Sequence, residues 1–407
     1  MAATAPSEVT VRMYNVGFGD CFLLTFKYAQ GARYMLVDFG STAAPRNAAK
    51  KSDYMERVAQ DIRKVCAGKL DVLVATHRHR EHISGFGTEG STGRIIADLR
   101  PDHVIQPWTE DPEPREMTAR FLGALGDMQA VAAAIKQLAA DEALAGKLTR
   151  EQLQFIGDGN SGSPSAVKNL RAMGRRSKAH YVSAGMELNL LPGVKCTVLG
   201  PPTLRQSESV RKARVQGHAS FEQFCSFWGS QSLALRQTLP RARAAELPPN
   251  VRWFVSQSRQ IRAAQLLGLA RDLDTVMSNT SVILLLEVGK RKILLPGDAQ
   301  LENWSYALSQ PEWRRRLAEV DLYKVGHHGS LSATPKPLWA LFKKKGGPST
   351  QNRLETLCST RAGKYGTPAA GTEVPRRVLV QELERDSRFT SSEGSKDTFC
   401  NEVTLEC

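Results

Sequence analysis

Three histidines and one glutamate lie within six residues of the chain, at His77, His79, Glu81 and His82. Each neutral imidazole can present a nitrogen to a metal ion, and the carboxylate supplies a hard anionic oxygen. Borderline divalent metals such as Zn²⁺ and Mn²⁺ suit that mixture of ligands. This spacing therefore predicts metal binding, and the alternative is a chance cluster on a solvated loop.

The residues on either side of the cluster favour the metal site. Residues 72–75 form a short apolar run that is typical of a buried strand. Ser84 and Gly85 then offer a turn or the start of a helix. Since ligands at the end of a buried strand are held on a rigid platform, we predict a metal site directly after this strand.

Two further strand ends carry side chains of the same kind. Residues 278–298 predict two apolar strands, the second of which ends at Asp298. Further along the chain, another short apolar strand leads to His327 and His328. Three strand ends thus present metal-binding side chains, a recurrence that is hard to obtain by chance.

The elements that position these side chains alternate between strands and helices. Strands are predicted over 9–16, 21–26, 34–38 and 102–108, with hairpins at 188–200 and around Gly289-Lys290; helices are predicted over 52–66, behind a Ser52 or Asp53 cap, and over 301–317. His103, alone in its strand, is predicted to be structural rather than a ligand. The alternation predicts one α/β domain over residues 1–407.

Two segments interrupt this alternation. Residues 110–178 contain an alanine-rich stretch and predict a helical insertion. Residues 203–275 predict a second helical insertion, which is basic and carries aromatic residues at helical spacing. That spacing favours core packing over a platform for stacking bases. Inserted arms of this kind often gate a substrate or bind a protein partner, and the insertions offer a place for either role.

The composition predicts a soluble globular protein with a basic surface. Of the 407 residues, 41% are hydrophobic and 24% are charged, which suggests neither disorder nor membrane residence. Lysine plus arginine outnumber aspartate plus glutamate by 55 to 41, for a net charge of +14. This balance favours the capture of nucleic acid and other polyanions, although a basic solvated surface has the same composition.

The cysteines and the first residues predict the compartment. Seven cysteines are scattered along the chain without a C-x-x-C pair, which favours a reducing environment. The first residues contain no basic segment followed by an apolar one, and no apolar run reaches transmembrane length. We therefore expect a cytoplasmic protein without a membrane partner.

The ligand cluster resembles the H-x-H-x-D-H signature of the metallo-β-lactamase superfamily, with His77-x-His79-x-Glu81-His82, and Gly297-Asp298 resembles its G-D motif. Within that superfamily the chain is most similar to the β-lactamase-like domain of bacterial competence DNA-uptake channel proteins and to related stand-alone hydrolases. The segments that carry this likeness are 16–20, 36–40, 198–201, 279–281, 325–330 and 364–368. The resemblance runs from residue 8 to about 385 and implies a four-layer αββα sandwich with helical insertions, its metal site lying at the rim between two sheets.

The resemblance also implies a role for each ligand, with one or two Zn²⁺ or Mn²⁺ ions bound. His77 and His79 hold the first ion, and His82 with Glu81 or an adjacent water holds the second; Asp298 bridges the two ions. Either His327 or His328 completes the second site, and its neighbour stabilises developing negative charge. We predict His327 as the ligand, and Asp298, Glu81 and His328 as the catalytic residues.

Three positions depart from the family pattern. Glu81 replaces the usual aspartate, and the extra methylene shifts the carboxylate, so that the second metal can be displaced or weakened. Many members carry a histidine where this chain has residues 277–279, and Asn279 can contribute an amide oxygen there or cap the turn. Thr367 replaces a histidine that is common in the DNA-uptake group. These departures are compatible with a single tightly bound metal.

The leading functional hypothesis is a metal-dependent phosphodiesterase, most simply a nuclease acting on DNA or RNA. A metal-activated water attacks phosphorus or an acyl carbon equally well, and the net charge favours phosphate. The predicted substrate contacts are Asn279, Lys324, Ser330 and Tyr365, and the basic runs 175–176, 314–316 and 343–345 are either phosphate contacts or solvated faces.

Two alternatives belong to other classes. The first is hydrolysis of a small ester, lactone or phosphoester, for which the basic surface is incidental. The second is a catalytically decayed protein that binds nucleic acid or a partner without turnover, as the departures at Glu81, Asn279 and Thr367 suggest.

Overall fold

The computed structural model describes residues 5–113, 162–207, 274–368, 371–393 and 398–407. The chain divides into two compact units: the first comprises Met1–Pro114, Gly162–Val210 and Met277–Cys407, and the second Arg115–Ser161 and Arg211–Val276. The predicted insertions 110–178 and 203–275 fall largely on the second unit. The helical and aromatic character expected of those segments therefore lies outside the described residues.

The first unit is a mixed α/β structure whose described residues form two mixed sheets of seven strands. The strands are β1 (Glu8–Tyr14), β2 (Cys21–Tyr28), β3 (Gly31–Phe39), β4 (Val72–Val74), β5 (His103–Pro107), β6 (Lys178–Val182), β7 (Glu187–Leu191), β8 (Val194–Gly200), β9 (Ile283–Val288), β10 (Arg291–Leu295), β11 (Leu322–Lys324), β12 (Glu355–Cys358), β13 (Arg388–Ser391) and β14 (Cys400–Glu406). The α-helices are α1 (Lys51–Val65), α2 (Arg80–Ile83), α3 (Thr92–Asp98), α4 (Pro164–Arg176), α5 (Leu301–Ser309), α6 (Pro311–Leu317), α7 (Lys336–Leu341) and α8 (Arg377–Asp386). The strand order is β14-β1-β2-β3-β4-β5-β6 in the first sheet and β13-β12-β11-β10-β9-β8-β7 in the second.

Three hydrophobic clusters pack these elements. One cluster takes side chains from both sheets, such as Val11 of the first sheet and Leu284 of the second. Another packs α1, α3 and α4 on the first sheet, and a third packs α5 to α8 on the second. Both faces of the central strands are therefore buried, which explains why those strands are continuous apolar runs in the sequence.

The parallel strands determine where the ligands lie. Strands β3 to β6 are parallel in the first sheet, and β10 to β13 are parallel in the second. Parallel strands end at the same edge of a sheet, so the segments after β10 and β11 are neighbours. The backbone N–H of Val282 donates to the Thr76 carbonyl at 2.9 Å, which joins the segment after β4 to the second sheet.

Most of the predicted strands are confirmed within one to three residues, and the helix predictions need two corrections. The helix expected over 301–317 is two helices, because Pro311 cannot continue the first and starts the second. The N-cap of α1 is Lys50 rather than Ser52 or Asp53. Helix α4 lies within the predicted first insertion but packs on the first sheet, so it belongs to the first unit.

Among the described helices, none is long and apolar enough to span a membrane. The six cysteines in the described part of the chain are free. The predicted cytoplasmic location stays a prediction.

Candidate metal centre

The side chains predicted as ligands come together at the ends of three strands. His77 and His79 lie in the irregular segment after β4, Glu81 and His82 on α2, Asp298 in the turn after β10, and His327 and His328 in the short 3₁₀ segment after β11. Glu81 is 5% exposed, and the other ligand side chains except His327 are at most 1% exposed. Neutral histidines and carboxylates buried together at this density require partners other than water.

Two groups of these side chains have the spacing of metal sites. The ligand atoms of Glu81, His82, Asp298 and His328 all lie within 4.8 Å of one another, and so do those of His77, His79 and Asp298. Asp298 belongs to both the four-ligand group and the three-ligand group, so its carboxylate can bridge two ions. The three-ligand group leaves one tetrahedral position for water or substrate.

Several of the ligand atoms lack a hydrogen-bond partner among the residues that the structure describes. These buried atoms are Nε2 of His77, Oε2 of Glu81 and Nε2 of His328. Leaving such an atom unpaired costs about 1–3 kcal/mol. Because Zn²⁺ and Mn²⁺ accept imidazole nitrogens and carboxylate oxygens, the donor set and its unpaired atoms fit these ions.

Hydrogen bonds at Nδ1 orient two of the histidine rings. His82 Nδ1 lies 2.8 Å from Asp38 Oδ2, and His328 Nδ1 lies 2.9 Å from the carbonyl oxygen of Ser359. Both partners are acceptors, so Nδ1 carries a proton in each ring. Nε2 of His328 is then the atom available to a metal, and Nε2 of His82 becomes available when a metal displaces the proton that it shares with Asp298 Oδ2 at 3.0 Å.

Asp38 supports the centre although it was not predicted as a site residue. Its carboxylate accepts the backbone N–H and the hydroxyl of Thr76, both at 2.7 Å. The Thr76 oxygen is in turn 3.1 Å from Nδ1 of His77, so the same network orients a second ligand. The sequence contains one signal for Asp38, because the residue ends a predicted strand. The structure shows that this strand runs parallel to β4, after which His77 and His79 lie.

The charges of the centre determine its protonation states. Burial alone lowers the pKa of His82, but the carboxylates of Asp298 and Asp38 outweigh it and raise that pKa well above its ordinary value. Burial raises the pKa of Asp298, but His82 and other nearby cations lower it further than burial raises it. Burial is the main reason that the pKa of His77 is lowered, which keeps its imidazole neutral. A metal bound here would have to displace the His82 proton, so its binding would weaken as the pH falls.

The geometry favours His328 rather than His327 as a ligand. Nε2 of His328 lies 3.7 Å from Asp298 Oδ2 and belongs to the four-ligand group. His327 donates its backbone N–H to Asp298 Oδ1 at 3.1 Å, and its Nε2 is 4.0 Å from the carboxylate. The sequence-based assignment of His327 as ligand and His328 as catalytic partner stays a prediction, and this geometry favours the opposite assignment.

The backbone around both histidines is left-handed. The φ angles are 45° at His327 and 53° at His328. Such a conformation costs a residue with a side chain about 1–3 kcal/mol and is concentrated at functional sites. This turn places the two side chains differently around Asp298, which the sequence pattern does not predict.

Lys324, which the sequence predicts as a substrate contact, is a buried countercharge in the structure. It is 2% exposed, and its ammonium group pairs with Asp20. The same Nζ donates to the Gly297 carbonyl at 3.0 Å and lies 3.4 Å from Asp298 Oδ1. Asp20, Asp38 and His82 also lie within metal-binding distance of one another, but Lys324 already pairs with Asp20. We therefore assign Asp20 a supporting role.

Asn279 is committed to hydrogen bonds within its turn. Its Oδ1 accepts the backbone N–H of Gln300 at 3.2 Å, and its Nδ2 donates to Glu302 Oε2 at 2.6 Å. Both ends of the amide are thereby used. Of the two roles left open by the sequence, this geometry favours capping of the turn over metal binding.

The other predicted substrate contacts lie on the loops that follow β11 and β12. Ser330 Oγ is 2.9 Å from Ser332 Oγ, and Tyr365 forms an isolated antiparallel bridge with Val374. Three of the predicted phosphate contacts are engaged in ion pairs: Lys343 with Glu319 at 2.7 Å, Lys344 with Asp321 at 2.8 Å and Arg316 with Glu287 at 2.5 Å. These ion pairs favour structural and solvated roles for the runs 314–316 and 343–345.

Arg78 anchors the loop that carries two ligands. It stands between His77 and His79, and its guanidinium donates two hydrogen bonds to the Glu110 carboxylate, each 2.6 Å long. Glu110 is 4% exposed. A bidentate pair of this kind is among the stronger polar contacts, so it holds the ligand loop against the end of β5.

We expect Glu110→Gln to weaken metal binding by about tenfold, the lower end of the range for direct partners of metal ligands, because Glu110 acts on the ligand loop through Arg78. The substitution keeps the size of the side chain but leaves the Arg78 charge uncompensated. Competition for the metal with a chromogenic chelator measures the affinity. Glu384→Gln, on the exposed side of α8, is the matched control, and equal affinities for the two variants would remove this role from Glu110.

Comparison of the sequence with models of known protein families gives no match. Comparison with curated proteins gives no significant match either.

Proposed function

We propose that the first unit has the αββα architecture of the metallo-β-lactamase superfamily and that the chain is a metal-dependent hydrolase. The architecture is supported by a hydrophobic cluster shared by both sheets and by helices on the other face of each sheet. The ligands follow β4 in one sheet and β10 and β11 in the other, as a site at the rim between two sheets requires. The superfamily assignment itself rests on the motifs.

Within this class, we propose a phosphodiesterase that acts on DNA or RNA as a nuclease. The observation that carries this proposal is that one carboxylate, Asp298, belongs to two adjacent ligand groups. Two-metal centres stabilise the attacking and the leaving oxygen in displacement at phosphorus. The net charge of +14 further supports a polyanionic substrate.

The residues of the centre divide into ligands and supports. Bound Zn²⁺ or Mn²⁺ lowers the pKa of a water and binds substrate oxygens. His77, His79, Glu81, His82, Asp298 and His328 would hold one or two such ions. Asp38 and Ser359 hold the imidazole rings of His82 and His328 in the ligand tautomer. The centre contains four carboxylates, those of Asp20, Asp38, Glu81 and Asp298, and one lysine ammonium group, that of Lys324. The excess negative charge attracts divalent cations.

The unpaired ligand atoms favour this proposal over a decayed site. Within the described part of the chain, Nε2 of His77 and Nε2 of His328 are buried without a hydrogen-bond partner, which destabilises a site that no longer binds a metal. Glu81 replaces the aspartate of the family pattern, yet its carboxylate lies in the four-ligand group. The glutamate at this position therefore leaves the number of candidate ligands unchanged.

We expect the purified protein with Mn²⁺ or Zn²⁺ to cut a labelled oligonucleotide, and His79→Ala to remove that activity because the three-ligand group loses one of its histidines. Gel electrophoresis of the products follows the cleavage. His180→Ala removes a partly buried histidine outside both ligand groups and should cleave at the rate of the unchanged protein. Intact single-stranded and double-stranded substrates with every metal tried would refute the nuclease proposal, and a panel of chromogenic esters would then test the small-ester alternative.

A further inference from the structure

A concave site lies at the end of the first sheet opposite the metal centre. Its volume is about 980 Å³, and its walls come from the residues before β4 and β5, the start of β6 and the last turn of α4. Lys69 precedes β4 and lines this cavity, whereas the ligand His77 follows the same strand. The basic cavity and the metal centre thus lie at opposite ends of the strands.

Positive charge dominates the walls of the basic cavity. Its charged residues are Lys69, Arg100, Arg176 and Lys178 against Asp98 and Asp102. Lys69 pairs with Asp102 at 2.5 Å, which neutralises both. In the described part of the chain, Arg100, Arg176 and Lys178 form no ion pair. After that pair is set aside, three cations face one carboxylate, Asp98, so the wall keeps an excess of about two positive charges, and an anion bound between the cations relieves their repulsion.

His103 adds a polar group to the same wall. Its Nδ1 lies 2.9 Å from Nε2 of His180 on the neighbouring strand β6. This pairing agrees with the structural role predicted for His103 and leaves its Nε2 as the ring nitrogen available to a ligand. The cavity thereby offers two guanidinium groups, one ammonium group and one imidazole.

We propose that the basic cavity binds a small phosphorylated molecule of nucleotide size. The volume falls within the range of about 300–1,000 Å³ that is usual for small-molecule sites. The planar guanidinium groups of Arg100 and Arg176 match phosphate oxygens with paired hydrogen bonds, and Lys178 adds a point charge. Binding at this cavity does not depend on hydrolysis at the metal centre, so an experiment can refute either this proposal or the nuclease proposal without affecting the other.

Titration calorimetry of the full chain tests this site with adenosine 5′-monophosphate, in the presence of a chelator so that no metal contributes. Adenosine, which has the same base and sugar without the phosphate, should bind at least about tenfold more weakly, the value of one or more charge-assisted hydrogen bonds. Arg100→Ala and Arg176→Ala should each weaken binding of the monophosphate by about tenfold. Both residues are exposed, so circular dichroism should show unchanged folding.

Arg315→Ala is the matched control, because it removes an exposed arginine of the second sheet's helices and leaves the basic cavity intact. Unchanged binding by this variant, together with losses in the two cavity variants, supports the proposal. Any of three results overturns the proposal. Adenosine binds as tightly as the monophosphate, all three variants lose the same affinity, or the monophosphate gives no heat of binding.

Discussion

Replacement of Asp298 by alanine is expected to empty both metal positions and to reduce hydrolysis by at least about a hundredfold, since loss of even an outer partner of a metal ligand costs 10- to 100-fold. Asp298 is the one residue common to the two ligand groups. It is fully buried, and its Oδ2 lies 3.0 Å from Nε2 of His82. Its removal therefore takes a ligand from each group at once.

Mass spectrometry of the metal content distinguishes this variant from the loss of an unshared ligand. His328→Ala should keep the ion of the three-ligand group, because His77, His79 and Asp298 are unchanged. Asp298→Asn keeps the shape of the side chain, and it separates loss of the ligand charge from loss of folding. Asp53→Ala, which removes an exposed aspartate of α1, is the control. Equal metal content in the Asp298→Ala and Asp53→Ala proteins would refute the bridging role.

Replacement of Lys324 by methionine is expected to lower the free energy of unfolding by about 3–5 kcal/mol, the usual cost of removing one partner from a buried ion pair. The ammonium group pairs with Asp20 and lies 3.4 Å from Asp298 Oδ1, with only 2% of the residue exposed. Burial alone would lower the pKa of Lys324, but Asp20 and Asp298 outweigh it and raise that pKa. The lysine is thus charged at neutral pH; without it Asp20 loses the ammonium group that pairs with it, while Asp298 keeps its contacts with His82 and with the backbone N–H of His327.

Urea unfolding of the metal-free proteins measures this effect. Lys343→Met removes a lysine of the same kind from an exposed ion pair with Glu319, and it should cost about 0–1 kcal/mol. Adding Asp20→Asn to Lys324→Met removes one of the stranded charges and should recover part of the loss, which keeps the test informative where the single variant folds poorly. A loss below about 1 kcal/mol for Lys324→Met would contradict the countercharge role.

The ligand-bearing strands were predictable because their signals are local. Residues 72–74 and 293–295 are apolar runs followed within three residues by a candidate ligand, His77 and Asp298, and each proves to be a strand end beside the centre. The break in the helix over 301–317 was also present in the sequence, as Pro311. The helical periodicity of residues 301–317 continues across this proline, and that continuity predicts a single long helix.

Four candidate site residues show what sequence position leaves open. Lys324, Asn279 and the pair His327-His328 lie beside the motifs in sequence, and this position makes each a candidate for contact with substrate or metal. Burial directs Lys324 onto Asp20, and the turn around Gln300 uses both ends of the Asn279 amide. Position along the chain does not reveal which way a side chain faces at the end of a strand or in a turn.

The sequence by itself determined the kinds of atoms in the centre and the strands that deliver them, since residue type and apolar periodicity are properties of short segments. Only the tertiary structure decided which atoms meet. Asp298 and His82 are 216 residues apart in the chain and are brought to 3.0 Å because the two sheets bury a common core. The choice between His327 and His328 likewise depends on a left-handed turn that the surrounding packing maintains.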